Sequence, residues 1–448
     1  MKAISVLLAV FLVTSVFLVG CASQQAPTPA ETIPAQEPSD AAPEKITLTY
    51  MVHWNWDAQL NGLKKYTDEY TALHPNVEFE IVTVNYGDYF EKIRQFHEAD
   101  AVPDIYQVYS TWGVTYADEG ILDTPPAGVA EDVKANYFST AGVTINGKIW
   151  GYPTEINDFM LVYDKKMFRD AGIVDANGEA KAPETWDELI ADAVKLTKKD
   201  DKGSIIQYGY AFQKSEDWGV VDPFLSLLWS NNGEFLSSDY SEALMNSPEG
   251  VEALTKIVEL FEKGATDPNS NMFDLGKGTV AMAIAAPWLE GSFKENFGDR
   301  FETDIGVAPI PGLKKPATLQ YSWFSGVTAK SRHKQEAWDF LKWLHTEVQP
   351  ETGTTRYGDL LTNVIGAIPS RNVDLENHQE QLSSVFKKGY VAELKNSVPE
   401  PNILEAGRVK KALLDEIVGA WVGDKTPKEA LDAAKAKIDP ILAENYGN

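Results

Sequence analysis

From residue 46 onward, segments with an apolar residue at every second position alternate with segments of helical spacing. That alternation limits the fold more than any other feature. Ile46, Leu48, Tyr50 and Val52 are separated by Thr47, Thr49 and Met51, the pattern of a strand with one face to bury. Residues 77–84, 103–110 and 304–312 read as further strands. Helices announce themselves by their caps. Thr185 and Glu188 form a capping box ahead of Leu189, Ile190, Ala193, Val194 and Thr197. Ser247 and Pro248 open a helix carrying Val251, Leu254, Val258 and Phe261, which Gly264 closes. Ser331 precedes the helical run 337–344, and Thr426, Pro427 and Glu429 make a second box. Strands and helices in this order predict an α/β architecture with helices over largely parallel sheets. A chain of 448 residues exceeds what one core supports, so two lobes are expected.

The N-terminus differs in kind. Lys2 precedes an apolar run that ends at Gly20, just before Cys21, the one cysteine in the chain. A positive start, an apolar stretch and a small-residue stop are the parts of a signal peptide. Residues 1–20 are therefore expected to be removed. "LVGC" resembles the lipobox of bacterial lipoproteins, which implies lipidation of Cys21. A single cysteine forms no intrachain disulfide and no cysteine-based metal site. Residues 22–44 carry five prolines and little to bury, which predicts a tether between anchor and folded part.

Charge and motif content remove several function classes. The formal net charge is −26, which disfavours a nucleic-acid partner. No phosphate-binding loop, nucleophile elbow or H-E-x-x-H zinc motif occurs. The six histidines are dispersed. Residues 267–271 begin like a calcium loop, but Met272 and Gly278 stand where a glycine and an acid are needed. No metal and no cofactor is expected.

Aromatic residues, in contrast, recur beside hydrogen-bonding groups at element ends. The chain has 12 tryptophans. Trp54 and Trp56 alternate with Asn55 and Asp57 directly after the first strand. Trp112 follows another strand. Glu155, Asn157 and Asp158 follow Tyr152 and Pro153. Trp229 lies beside Asn231, Asn232 and Glu234, Trp288 beside Glu290, and Trp323 beside Tyr321. A sugar suits this inventory: its C–H faces pack on indole, and its hydroxyls need amides and carboxylates when buried. The candidate binding residues are Trp54, Trp56, Asp57, Trp112, Glu155, Asn157, Asp158, Trp229, Trp288, Glu290, Tyr321 and Trp323. Trp186, Trp338 and Trp343 sit at apolar helix positions and are expected in the core. Residues 155–158 also suit a plain turn or helix cap. A glycoside hydrolase would use the same aromatics with two carboxylates. The same residues are compatible with a surface lipoprotein that binds another protein, and with a receptor for polyamine or peptide.

Residues 145–173, with 183–198, 277–293, 305–312, 325–344, 366–371 and 423–442, resemble the family 1 extracellular solute-binding proteins of ABC importers, the group that includes maltose-binding protein. The resemblance implies a two-lobed type II periplasmic-binding-protein fold, with a ligand cleft between the lobes and a hinge of about three chain crossings. By analogy these lie near 152–156, 308–312 and 366–370. The N-lobe would be 45–152 plus 313–365, and the C-lobe 157–307 plus 370–448. The implied role is a monomeric receptor that binds a sugar or oligosaccharide and delivers it to ABC permease subunits, doing no chemistry on it. The implied location is the outer face of the cell membrane, through a lipid anchor. Residues like Trp288 stack on sugar in such proteins.

Overall fold

The structure, a computed structural model, describes residues 44–447. The expected signal peptide, Cys21 and the tether lie outside the described residues. Nine strands frame the fold: β1 (Ile46–Val52), β2 (Val77–Thr83), β3 (Ile105–Tyr109), β4 (Tyr152–Asp158), β5 (Met160–Asp164), β6 (Met282–Ala285), β7 (Ile305–Ala308), β8 (Thr318–Val327) and β9 (Ser397–Pro399). Six helices matter below: α1 (Asp57–Leu73), α2 (Tyr86–Glu98), α3 (Asp217–Ser230), α4 (Pro248–Glu262), α5 (Ala406–Trp421) and α6 (Pro427–Tyr446).

The larger sheet has the order β9-β8-β3-β1-β2, with β4 also pairing to β8. β1 runs parallel to β2 and β3, as β-α-β connections through α1 and α2 require. β1 is thus an interior strand, and it buries Met51 as well as Tyr50 and Val52. The one-faced pattern of its sequence holds only for its first half.

The smaller sheet, β6-β5-β7, is antiparallel throughout, and β8 is antiparallel to β3 and β4. Parallel pairing, expected to dominate from the sequence, is therefore confined to β1–β3 and the short β8–β9 pair. The cause is where the chain crosses. β4 belongs to the larger sheet and β5 to the smaller, with only Phe159 between them. The chain also passes from β7 in the smaller sheet to β8 in the larger. Strands entered this way are under no helical-crossover constraint.

Beside β4 runs a third segment. Ile156 N–H donates to Ile368 O at 2.9 Å, and Ser370 N–H to Thr154 O at 3.0 Å. Gly366 turns into it at φ +84°, a conformation that favours glycine. The short β9 pairs with β8 although residues 370–448 were expected in the other lobe.

The capping signals match their geometry. Thr185, Ser247 and Thr426 each accept from a backbone N–H in the first turn. Ser331 does not: its helix starts at Lys334, and the Ser331 hydroxyl donates instead to Asp104 Oδ1 at 2.5 Å. Trp186, Trp338 and Trp343 are buried in the core.

Candidate functional site

A cavity of about 260 Å³ opens where β1 ends. His53, Trp54, Asn55 and Trp56, the four residues after β1, form one wall, joined by Gln59 from the first turn of α1. Tyr86 comes from the start of α2 and Tyr109 from the end of β3. The rest of the lining comes from Glu155 on β4, Phe159 at the crossing, Trp218 and Asp222 on α3, Trp288 after β6, and Tyr321 and Trp323 on β8. Ile365 completes the lining. Carboxyl ends of strands are where α/β sheets leave a crevice.

The walls are held rigidly. The His53 ring stacks on Trp323 at 4.0 Å between centroids. Its Nδ1 lies 2.9 Å from Gln107 Oε1, which also accepts from the His53 backbone N–H at 3.1 Å. Burial pushes the His53 pKa down to about 3, so the ring is neutral. Trp288 is half-buried and meets Trp218 edge to face at 5.3 Å. Trp56, 44% exposed, forms the rim. Trp54 is almost wholly buried.

Two carboxylates reach the lining from different surroundings. Glu155 is buried and accepts a hydrogen bond from the Thr154 hydroxyl. Burial raises its pKa to about 7, and the Thr154 bond opposes that only in part. Asp222 is fully buried, and its Oδ1 lies 2.8 Å from Lys410 Nζ. The same ammonium sits 2.9 Å from Glu400 Oε1 and 3.3 Å from Asp217 Oδ2. Tyr109 donates to Glu400 at 2.6 Å and Tyr86 to Asp217 at 3.2 Å. Lys410 thus anchors the acids that orient two phenols of the wall.

A stability consequence follows for Glu155. The folded protein holds this proton up to about pH 7, whereas an unfolded glutamate releases it near its ordinary 4.5. Between those values the native state binds more protons, so this group's contribution to stability falls as pH rises through the window. Glu155→Gln should remove that slope and raise unfolding stability above pH 7 by up to about 3 kcal/mol. Urea melts of both proteins from pH 4.5 to 8 check this. Parallel stability curves would contradict it.

Of the twelve residues expected from the sequence, the structure brings six to the cavity: Trp54, Trp56, Glu155, Trp288, Tyr321 and Trp323. The other six lie elsewhere, each for a local reason. Asp57 opens α1 facing solvent, where its charge complements the helix dipole. Trp112 is buried behind the wall, 5.3 Å from Tyr86 and 5.5 Å from Trp323, and backs both. Asn157 Oδ1 accepts from Ile368 N–H at 3.2 Å, so it ties the crossing segments together. Asp158 points to the face of β4 opposite Glu155 and is completely buried. Trp229 ends α3, 11 residues from Trp218, about 16 Å along the helix. Glu290 is buried in ion pairs with Lys294 and Lys387, both at 3.1 Å.

His53, Gln59, Tyr86, Tyr109, Phe159, Trp218, Asp222 and Ile365 were not singled out from the sequence. For Trp218 and Asp222 a signal existed: they stand one turn apart on a helix, which aligns indole and carboxylate on one face. Tyr86 follows a strand, as Trp54 does.

Among the described residues no cluster of His, Cys, Asp and Glu is arranged to hold a metal ion. Within the same residues no helix is long and apolar enough to cross a membrane.

Comparison with known proteins adds a lineage to this geometry. A family model described as bacterial extracellular solute-binding protein matches residues 54–349. A putative binding protein of Brucella abortus is 24% identical over 386 residues, covering 83% of this chain and 88% of that one. A maltooligosaccharide ABC transporter solute-binding lipoprotein of Streptococcus pneumoniae is 23% identical, covering 100% of this chain and 99% of its own length. Among solved structures, an ABC transporter solute-binding protein from Thermotoga lettingae bound with α-D-tagatose superposes with a TM-score of 0.74 at 22% identity. That match covers 89% of this chain and 100% of that one.

Proposed function

Because the chain belongs to the bacterial extracellular solute-binding proteins, we propose that its aromatic cavity binds a sugar and hands it to an ABC permease. The observation that carries this reading is the lining itself. Indole and phenol rings supply apolar faces for sugar C–H groups, while Asn55, Gln59, Glu155 and Asp222 meet hydroxyls that would otherwise be buried unpaired. The similar pneumococcal lipoprotein is named for maltooligosaccharides, and the Thermotoga structure holds a monosaccharide. Both support the class of ligand.

The guest touches residues of the larger sheet and Trp288, which follows β6 of the smaller one. It therefore favours the closed arrangement through contacts that the open one lacks. Closure presents the permease with an occupied receptor, and the ligand leaves unchanged. At about 260 Å³ the cavity falls just below the ~300–1,000 Å³ of most ligand sites. Mono- and disaccharides fit it better than long chains.

Calorimetric titration with a panel of sugars from one to six rings tests this. Binding is expected for the short members, with affinity falling beyond two rings. Silence across the panel from a folded protein rejects the sugar reading. Catalysis is absent in this reading, so a bound disaccharide incubated overnight should return intact.

The same proposal places a lipid on Cys21 and the receptor on the outer face of the membrane. Cys21→Ser should move the protein from the membrane fraction to the soluble exported fraction. Retention at the membrane in that variant argues against the anchor.

A further inference from the structure

The charge around the cavity is unbalanced in a way that a neutral sugar does not require. Glu155 and Asp222 line it, and no lysine or arginine does. His53, the one other titratable nitrogen in the lining, is neutral. Behind Asp222 a single ammonium, Lys410, serves three carboxylates: Asp217, Asp222 and Glu400. Glu155 joins no ion pair among the described residues, and only the Thr154 hydroxyl donates to its side chain. Two acids therefore face the ring-lined cavity, and the one ammonium nearby is already divided among Asp222 and two acids behind it.

An unpaired buried carboxylate is costly in such a setting, and an opposite charge removes the cost. The walls suit the same charge. Trp288, Trp218, Trp323, Tyr86 and Tyr109 present π-faces or edges to the space, and indole is the best ring partner for an ammonium.

We infer that the guest of this cavity carries a protonated amine, seated against Glu155 and the indole faces. On the sugar-receptor reading, from which this inference starts, the ligand is an amino sugar. Its hydroxyls meet Asn55, Gln59 and Asp222, and its ammonium completes the ion pair that Glu155 lacks. Burial raises the Glu155 pKa to about 7, and a bound ammonium would draw the group to its ionised form.

The test is a set of matched titrations on the full chain at pH 7. Glucosamine is compared with glucose and N-acetylglucosamine, which share its ring and lack its charge; spermidine supplies an amine without a sugar. The amino sugar is expected to bind at least tenfold tighter than either neutral ring. In Glu155→Gln that gap should shrink to less than threefold. In Asp57→Asn, which removes an exposed acid outside the cavity, the gap should persist; this separates a seated ion pair from the bulk charge of the chain. Equal or tighter binding of the neutral rings overturns the ammonium inference and leaves the sugar receptor standing. Spermidine binding with no sugar bound keeps the ammonium and rejects the sugar. Silence from all four in a folded chain overturns both.

Discussion

Trp288→Ala is expected to weaken sugar binding by at least tenfold while the protein stays folded. Trp288 sits half-buried at the start of a short helical turn, its ring edge to face with Trp218 at 5.3 Å. The indole also lines the cavity. Covering an aromatic face with sugar C–H groups removes on the order of 60–100 Å² of apolar surface from water, worth about 1.5–3 kcal/mol at ~25–30 cal/mol per Å². That range corresponds to roughly tenfold to a hundredfold in affinity. Trp288→Phe keeps part of the face and should lose less. The side chain is not core, so the thermal midpoint should fall by only a few degrees. Unchanged affinity in Trp288→Ala would take this residue out of the site. Asp57→Asn is the matched control. It lies near Trp56 in sequence and outside the lining in space, and a loss of affinity there would mean that the ligand also reaches the exposed Asp57 carboxylate.

The contrast between Trp288 and Asp57 shows what a sequence can say about such a site. Element ends were legible, because caps, glycines and period-2 runs are local. So β1, its four following residues, and the helices opened by Thr185, Ser247 and Thr426 lie where their patterns put them. The aromatic residues beside hydrogen-bonding groups were legible too, and Trp54, Trp56, Trp288, Tyr321 and Trp323 converge. What stayed hidden depends on which way a side chain faces across the fold. Glu155 and Asp158 look alike in sequence, yet strand alternation points them to opposite sides of β4. Glu290 resembled a hydroxyl-binding acid until Lys387, almost a hundred residues later, was found 3.1 Å from it. Trp218 and Tyr86 were missed because their relevance comes from α3 lying against α2 through the Tyr86–Asp217 hydrogen bond. The antiparallel small sheet was hidden for the same reason: chain crossings between lobes are not written in local periodicity.

The largest stability effect is expected from Lys410→Met. Lys410 is fully buried. Burial alone would discharge it, but Asp217, Asp222 and Glu400 outweigh that and hold its pKa well above the ordinary lysine value. Asp222 is raised by burial, with Lys410 opposing. Replacing the ammonium by a thioether of similar length keeps the volume and strands three acids around an apolar group. Breaking a buried ion pair from one side destabilises by about 3–5 kcal/mol, and three partners place this case at the upper end near pH 7.5. The deficit should depend on pH with a definite sign. Without Lys410 the folded state retains protons on these acids that the unfolded chain releases, so the variant gains stability relative to the wild type as pH falls toward 5. Lys410→Met combined with Asp222→Asn should recover part of the loss at pH 7.5, since one stranded charge is gone. Urea melts at the two pH values give all three comparisons. A loss below about 1 kcal/mol at pH 7.5, or a gap that does not narrow at pH 5, would mean that the acids do not depend on the lysine. Tyr86 and Tyr109 donate to Asp217 and Glu400, so the same substitution should also loosen that wall of the cavity. Sugar affinity and stability are then expected to fall together, whereas Trp288→Ala separates them.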